Sequence, residues 1–456
     1  MFLTLGKLAF RNLFRQKRRN LLVIFIIGAS FAAVLLISAQ CFRVYHHIDV
    51  ADSYANDLGH VAIFRAGGLL RQYSGREKYL ISKTDQDFLT KGLASFSEVE
   101  FVSRYLSGVG LVSNGCESIP YVGLGIDLNM EDRVHGHPSL RKWLSTVDRS
   151  TLSNRLSIFK LKNVIAMTPS MANALRKSKT LRDLENSPIP PSVLVTNCND
   201  SHTRALSEQS PEVQLLANKA GGDTSVSDAY IAYQFSTGRA FSDDVALRTS
   251  LEDMQNILGT TGVSYIAVFL NDPSQRAAFI EQFEREYLRS RTSEFSLHSS
   301  TSIELDDLGA GIIGWHQTLE LFTHILLGLI VAVVTVNFIT MTIRERRSEI
   351  GTMLALGFKP RAIILLFQKE SLLIILAGIA CGALFTGAVI YGVNHLQIQY
   401  PGPGMIGNAI FLLGTSAERL AMSAGFLVIG SMVCSLVSIN WIIRGQSINR
   451  MLAGSA

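Results

Sequence analysis

The chain has 456 residues, of which 48% are hydrophobic and 17% are charged, with a formal net charge of +5. Soluble domains carry about 25% charged residues, so this deficit favours a protein that keeps part of its mass in lipid. The positive charge clusters beside apolar segments and forms no basic stripe. This excludes nucleic-acid binding and is typical of a membrane-topology signal.

Residues 1–20 predict an amphipathic helix at the cytoplasmic membrane surface. At about 100° per residue, Lys7, Arg11, Arg15 and Arg18 fall on one narrow arc, and apolar side chains fill the opposite side. The apolar run that follows is longer than the 7–15 residues typical of a signal peptide, at roughly 20 residues, so we expect an uncleaved membrane anchor.

Four apolar segments are long enough to cross a hydrocarbon core of ~30 Å, which needs about 20 residues. The predicted transmembrane helices are residues 21–41, 318–343, 362–393 and 419–443. Lysine and arginine residues precede the first and third segments and follow the second and fourth. By the positive-inside rule, residues 1–20, 344–361 and 444–456 are therefore cytoplasmic, whereas 42–317 and 394–418 lie outside.

The external segment 42–317 predicts an α+β domain. Alternating apolar residues indicate strands at 59–65 and 264–270, and helical periodicity indicates helices at 85–94 and 273–289. Loops are predicted at 186–191 and 221–223. Residues 43–56 and 302–316 are predicted to extend the first two spans as a helical stalk, with flexible linkers as the alternative. The fold class is therefore an α-helical membrane protein with one span before, and three after, a large α+β extracytoplasmic domain.

Cysteines and histidines give weaker signals. Cys116 and Cys198 both fall in the external domain, where a disulfide is permitted, but the sequence leaves their pairing open. The histidine pairs His46–His47 and His135–His137 have no nearby ligands at a spacing typical of metal sites, so we expect surface histidines and no metal.

Catalytic motifs do not occur in the sequence. It contains no phosphate-binding G-x-x-x-x-G-K-[ST] loop, no G-x-S-x-G and no H-E-x-x-H. We therefore predict a chain without catalytic residues or cofactor, with any ATP-derived energy supplied by another polypeptide. The predicted spans also lack the mid-membrane carboxylates that ion-coupled transporters use, Glu370 being the nearest candidate at the inner edge.

The segment 344–361 combines charge with an apolar helical face. Ile350, Met353, Leu354 and Leu356 are apolar, whereas Glu345, Arg346, Arg347 and Glu349 are polar. Gly357 suits a helix C-terminus and Pro360 the first turn of the next helix. Either the chain's own helices or a groove on a partner must cover this apolar face, and the short connection favours a partner.

The third predicted span carries three glycines that favour close helix packing: Gly378, Gly382 and Gly387, of which the first two form a G-x-x-x-G pair. Tyr400-Pro-Gly-Pro-Gly404, in the external segment before the last span, predicts a rigid turn to which the sequence assigns no task.

The run from Glu345 to Gly357, Glu-Arg-Arg-Ser-Glu-Ile-Gly-Thr-Met-Leu-Ala-Leu-Gly, resembles the E-R-x-x-E-I-G-x-x-x-A-x-G signature of the FtsX-like ABC-transporter permeases, which include MacB, LolC and LolE. The opening Leu8-Ala-Phe-Arg-Asn-Leu13 and the one-plus-three span layout are also similar to that family. Looser likenesses to the lipoprotein-release branch lie in 59–65, in 121–127, and in Phe235-Ser-Thr-Gly238 with Asp243 and Gln255. Thr168–Leu175 departs from it by lacking that branch's glycines.

The resemblance implies a bacterial inner-membrane permease with its large domain in the periplasm. Its partners would be a cytoplasmic ABC ATPase dimer that binds ATP and magnesium, a second permease copy (identical or paralogous), lipids, and a periplasmic carrier or adaptor. ATP-driven closure would press on the connector and move the external domains. The residues implied in ATPase coupling are Glu345, Arg346, Glu349, Ile350, Gly351, Met353, Leu354, Leu356 and Gly357.

The resemblance also leaves three functions open. The first is extraction of a lipoprotein, lipid or other hydrophobic substrate for a periplasmic carrier. The others are MacB-like efflux of drugs or peptides, and FtsX-like regulation of a cell-wall hydrolase. The external domain is larger than the regulator needs, which weighs against the last.

Overall fold

The computed structural model describes residues 17–74, 77–145, 161–184, 198–219, 221–237, 240–401 and 408–444. The chain forms two compact units. The membrane unit contains the described residues up to Tyr45, Ile312–Ile398 and the described residues from Phe411 onward. The external unit contains His46–Gly311 and Gln399–Ile410.

The first long helix, α1, spans Lys17–Val50 and continues as a π-helical turn over Ala51–Ala55. It has no proline, so no backbone donor is missing along its length. The predicted first span and the predicted helical extension at 43–56 both lie in this stretch. Residues 1–16, which hold most of the predicted amphipathic helix, are outside the described part of the chain.

The external unit alternates strands and helices. Its strands are β1 Val61–Arg65, β2 Val99–Ser113, β3 Ser118–Ile126, β4 Val164–Met167, β5 Glu212–Asn218, β6 Thr224–Gln234, β7 Ala246–Ser250, β8 Tyr265–Leu270 and β9 Phe295–Ser299. Its α-helices are α2 Lys83–Leu93, α3 Leu128–His135, α4 Pro138–Leu144, α5 Pro169–Ala174, α6 Ser201–Gln209, α7 Ala240–Asp243, α8 Leu251–Leu258 and α9 Arg276–Phe283. Short 3₁₀ or π turns lie at Leu69–Ser74, Glu77–Tyr79, Pro273–Gln275, Glu284–Leu288 and Arg289–Glu294.

These strands form one mixed sheet in the order β3-β7-β4-β6-β5-β2-β8-β1-β9. The long strand β2 pairs with β3 along one edge and with both β8 and β5 along the other. The β2–β3 pairing therefore joins the two ends of β3-β7-β4-β6-β5-β2 into a closed ring of strands. The β3–β7 and β4–β6 pairs are parallel, and the remaining pairs are antiparallel.

Alternation along the strands places apolar side chains on both faces of the sheet. In β4, Ile165 and Met167 join the cluster that helix α8 caps with Met254, whereas Val164 and Ala166 join the cluster on the opposite face. Helix α8 lies directly on β3, since a Cβ added at Gly125 would fall 2.5 Å from the Cβ of Met254. Glycine at 125 thus permits this close approach.

The predicted secondary structure of the external domain agrees with these elements at 59–65, 85–94, 264–270 and 273–289. The predicted helix at 302–316 is wrong in its first turn. Ser302 lies in a bend and residues 303–305 form turns, so the helix begins only at Asp307. Its first hydrogen bond runs from the amide of Ala310 to the carbonyl of Asp306 at 2.9 Å. Residues 221–223 form the predicted turn, between β5 and β6, whereas 186–191 lie outside the described residues.

Four further helices follow the external unit: α10 Asp307–Glu345, α11 Arg347–Ala355, α12 Pro360–Leu396 and α13 Ala417–Arg444. The short strands β10 Gln399–Pro401 and β11 Asn408–Ile410 pair antiparallel between α12 and α13. Tyr400 and Pro401 of the predicted rigid turn thus lie in β10, and its residues 402–404 are outside the described part of the chain. Together with α1, the helices α10, α12 and α13 are long and apolar enough to cross a membrane.

Cys116 and Cys198 form a disulfide, with their Cα atoms 5.6 Å apart. Cys116 lies in the turn between β2 and β3, and Cys198 precedes α6. The structure thus pairs the two external cysteines, a question that the sequence left open. Disulfides persist in oxidising compartments, so its position in the domain predicted to lie outside agrees with that topology.

Candidate functional site

Helix α11, here called the connector helix, ends in a geometry that its sequence dictates. Gly357 has φ of +83°, a left-handed conformation that glycine adopts without a Cβ penalty. The amide of Gly357 donates to the carbonyl of Leu354, and that of Phe358 to the carbonyl of Met353, both at 3.0 Å. This is a Schellman C-cap, and Pro360 then begins α12 in its first turn.

Ion pairs fix the start of the connector helix. Arg346 Nε lies 2.9 Å from Glu349 Oε2, and its Nη1 lies 2.9 and 3.0 Å from the two carboxylate oxygens of Glu370 on α12. The same guanidinium lies over the ring of Phe367, 5.4 Å from its centroid. One arginine therefore joins the junction of α10 and α11 to the following helix.

A second arginine ties α1 to the same region. Arg19 forms an ion pair with Glu345, donates from Nη2 to the hydroxyl of Thr342 at 3.0 Å, and lies over the ring of Phe338. Glu345, Arg346 and Glu349, which the resemblance implies in ATPase coupling, all form ion pairs within the chain.

Part of the apolar face of the connector helix packs against the chain's own core, and the rest is exposed to solvent. Ile350 is 1% exposed and Gly351 is buried, while Met353 and Leu354 are half-buried against the same core. Leu356 is 74% exposed and Phe358 is 44% exposed. The sequence left open whether the chain's own helices or a partner covers this face, and favoured a partner. In this fold Ile350 cannot contact one, and the exposed apolar surface lies at Leu356 and Phe358.

Close glycine contacts join α1 to α12. A Cβ added at Gly382 would fall 2.5 Å from the carbonyl oxygen of Gly28, and one at Gly378 would fall 2.7 Å from Ile27 Cγ2. These glycines therefore allow the two backbones to approach. Nothing in the described residues lies within 4 Å of a Cβ at Gly387, so the chain gives that glycine no such contact.

Polar side chains also join the other ends of the long helices. Glu320 on α10 lies 3.2 Å from Arg419 Nη1 on α13 and accepts from the hydroxyl of Ser38 on α1 at 2.6 Å. Arg419 also lies over the rings of Phe42 and Tyr45. Three helices thus share one ion-paired cluster at the end opposite the connector.

The external sheet presents a row of exposed apolar side chains. Leu111 on β2 is opposite Leu216 on β5, which is opposite Val226 on β6. Leu111 is 45% and Val226 59% exposed, and Leu216 is half-buried. Directly opposite residues in antiparallel strands lie on the same face, so the three side chains form a continuous stripe. This row is not recognisable from the sequence alone, because the register between the strands is needed to align its three residues.

Residues from the looser sequence likenesses have local structural roles. Asp243 accepts from the hydroxyl of Ser236 at 2.8 Å and from the amide of Thr237 at 2.7 Å. Gln255 donates to the carbonyls of Thr261 and Gly262. Asp127 caps α3 and pairs with Arg104 at 2.6 Å. These residues hold turns and helix ends.

The expectation of surface histidines is wrong for His135, which is 8% exposed beside buried carboxylates. His137 stacks on Tyr54, and His47 accepts from the indole nitrogen of Trp143 at 3.0 Å, while His46 is exposed. Glu131 lies one helical turn before His135, a spacing that could have indicated the pairing.

These features define a multi-pass membrane protein, with one long apolar helix before a mixed α+β domain and three after it. Residues 321–447 match the family model described as FtsX-like permease C-terminal. This membrane segment, which includes the connector helix, is thus similar to the C-terminal part of the FtsX-like permeases.

The chain matches none of the curated proteins. Among solved structures, it is similar to the periplasmic region of MacB from Actinobacillus actinomycetemcomitans, at 14% identity and a TM-score of 0.31, covering 54% of this chain and 90% of that one. It is also similar to the extracellular domain of the noncanonic ABC-type transporter YknZ from Gram-positive bacteria, at 10% identity and a TM-score of 0.30, covering 52% and 99%.

Proposed function

We propose that this chain is the permease subunit of an ABC transporter, which converts ATP hydrolysis by a separate ATPase into motion of its external domain. The observation that carries the proposal is the connector helix, a short capped helix between two membrane-length helices within the segment that matches the FtsX-like permeases. Its exposed end presents Leu356 and Phe358, which suit an apolar groove on a cytoplasmic ATPase.

The proposed topology places the connector helix and both termini in the cytoplasm and the α+β domain outside. The lysine and arginine clusters beside the spans support this orientation. The disulfide between Cys116 and Cys198 supports it independently, because a reducing cytoplasm disfavours such bonds. The membrane is the bacterial inner membrane, with the domain in the periplasm.

Force reaches the external domain through continuous helices. Helix α1 runs unbroken over Lys17–Val50, and α10 runs over Asp307–Glu345. Each contains both a predicted span and predicted stalk residues. Arg346 transmits a push on the connector helix to α12 through Glu370, and Arg19 links α1 to Glu345. ATP and magnesium bind in the partner ATPase dimer, and a second permease copy, identical or paralogous, completes the assembly.

The substrate class we favour is a hydrophobic or lipid-anchored molecule that the external domain passes to a periplasmic carrier. The apolar row of Leu111, Leu216 and Val226 supports this choice, since an exposed apolar stripe suits an acyl chain or an apolar partner surface. MacB-like efflux of drugs or peptides through an adaptor remains the alternative in the same machinery. No feature described above favours regulation of a cell-wall hydrolase.

The test is Leu356→Glu, which places a charge on the exposed end of the connector helix. We expect the ATPase that co-purifies with the wild-type chain to fall at least about tenfold, because a buried unpaired charge costs several kcal/mol. Leu70→Glu is the matched control, since Leu70 is 92% exposed in the external unit. Undiminished ATPase with Leu356→Glu would refute the proposed docking surface.

A further inference from the structure

Four ionisable side chains meet inside the external unit, away from the connector helix. Asp57 and Glu131 are 0% exposed, His135 is 8% exposed and Arg248 is 7% exposed. Buried charges at this density are uncommon unless they pair with one another or bind metal. The proposed transport mechanism makes no use of them.

Local structure brings the three possible metal ligands together. Asp127 caps the start of α3, which places Glu131 and His135 four residues apart on one helix face. Asp57 approaches from the loop that follows the π-helical turn Ala51–Ala55, in a left-handed conformation with φ of +64°.

The separations match those of ligands around one small ion. Nε2 of His135 lies 3.2 Å from Oε1 of Glu131 and 3.8 Å from Oδ1 of Asp57. One ligand atom from each residue lies within 4.8 Å of the others. Tetrahedral zinc with bonds of about 2.0–2.1 Å requires ligand atoms roughly 3.3 Å apart.

The carboxylate oxygens that face this cluster accept no hydrogen bond from the described residues. These are Oε1 and Oε2 of Glu131 and Oδ1 of Asp57. Although Oε1 of Glu131 is near His135, the pair lies outside hydrogen-bond geometry. A buried carboxylate without donors is costly, so these oxygens indicate a ligand that carries positive charge.

Arg248 orients Asp57 for such a ligand. Its Nη2 lies 2.5 Å from Oδ2 of Asp57 and donates to the carbonyl of Ala55 at 2.9 Å, while the guanidinium lies over the ring of Phe235. The arginine thereby occupies one carboxylate oxygen and leaves the other facing Glu131 and His135. A hydrogen bond of this kind to a ligating carboxylate is the usual support around a metal site.

We propose that Asp57, Glu131 and His135 bind one divalent transition-metal ion, with Zn²⁺ the best match. One imidazole and two carboxylates suit zinc, whereas calcium needs six to eight oxygens, roughly twice what this pocket offers. The ion would tie the segment after α1 to helix α3, both within the external unit, and this inference is independent of the transport proposal.

Metal content is measured on the full chain in nanodiscs, stripped with EDTA and titrated with Zn²⁺ against a chromophoric chelator. We expect one Zn²⁺ per chain, and a loss of affinity of at least about tenfold in both Glu131→Gln and His135→Gln. Asp85→Asn is the matched control. It removes another largely buried carboxylate of the external unit, which pairs with Arg65 at 2.6 Å and Arg291 at 2.7 Å, and it should bind zinc like wild type.

A spectroscopic readout on the wild-type chain keeps the test decisive if a variant fails to fold. Co²⁺ in this site should give the visible absorption of a four- or five-coordinate ion, and Zn²⁺ should displace it. Failure of the wild-type chain to retain either ion would overturn the proposal and leave a proton shared within the cluster as its neutralising charge. Zinc affinity unchanged in both folded variants would overturn it too, because the ion would then bind elsewhere.

Discussion

Arg346 ties the start of the connector helix to the helix that follows it. It pairs with Glu349 on the connector helix and with Glu370 on α12, and it lies over Phe367. The sequence identified Arg346 through its place in the family signature. It could not identify Glu370 as the partner, because only the turn at Gly357 brings α12 back beside the start of the connector helix.

Glu370→Gln keeps the side-chain volume and removes the charge. Because Glu370 is buried beside Arg346, we expect the variant to lose stability on the order of 2–4 kcal/mol. The measurement is resistance to SDS-induced unfolding in mixed micelles. Glu418→Gln, at an exposed position early in α13, is the control. If both variants resist SDS as well as the wild type does, the Arg346–Glu370 pair is not structural.

His60 gives the external domain a dependence on pH. Burial lowers the pKa of His60 from 6.5 to about 4, with nearby Asp49 acting in the opposite direction. The Nδ1 atom of His60 accepts the amide hydrogen of Leu270 at 2.9 Å, a bond that only the neutral ring can make. The unfolded chain therefore binds a proton in this pH range before the folded chain does.

Because the unfolded chain binds this proton more readily, the free energy of unfolding decreases as the pH falls. The contribution of His60 to that free energy is roughly 3 kcal/mol, is fully present above pH 6.5, and is lost as the pH falls towards about 4. Urea unfolding can be followed through Trp143 once Trp315 and Trp441 are changed to phenylalanine. His60→Gln in that background should flatten the profile between pH 6.5 and 4, and an unaltered profile would exclude His60 as its source.

Among the secondary-structure elements, the long helices were the most predictable from sequence. Runs of about 20 apolar residues need no tertiary information to be recognised, and all four lie in the helices α1, α10, α12 and α13. The external sheet was much less predictable. Only β1 and β8 stood out, because the rest of the sheet depends on non-local pairings such as those of β2 with β5 and β8.

A single substitution can test the close contact between helices α1 and α12. Gly382→Val would force a side chain against the carbonyl of Gly28, so we expect destabilisation on the order of 1–3 kcal/mol. Gly387→Val is the matched control in the same helix, at an exposed position with open space around it. The measurement is the thermal midpoint in nanodiscs. Equal effects of the two substitutions would show that the glycine contact does not hold the helices together.

At the scale of the whole molecule, features encoded in one stretch of sequence could be predicted, whereas features built from several stretches needed the structure. The spans and the connector helix were recognisable because their signals are local. The apolar row and the cluster at Asp57 were not, because each combines residues that are distant along the chain. The disulfide falls between these cases, since the sequence supplied both cysteines but not their distance.

The central claim is that ATP hydrolysis in a partner moves the external domain through the connector helix. Hydrogen–deuterium exchange tests it directly, on proteoliposomes that hold the chain with its co-purified ATPase. ATP supplied to the ATPase side should change exchange at residues 43–56 and 302–316 and within the domain, and Leu356→Glu should abolish that change. Exchange outside the membrane that stays constant while the wild-type complex hydrolyses ATP at its full rate would contradict the account.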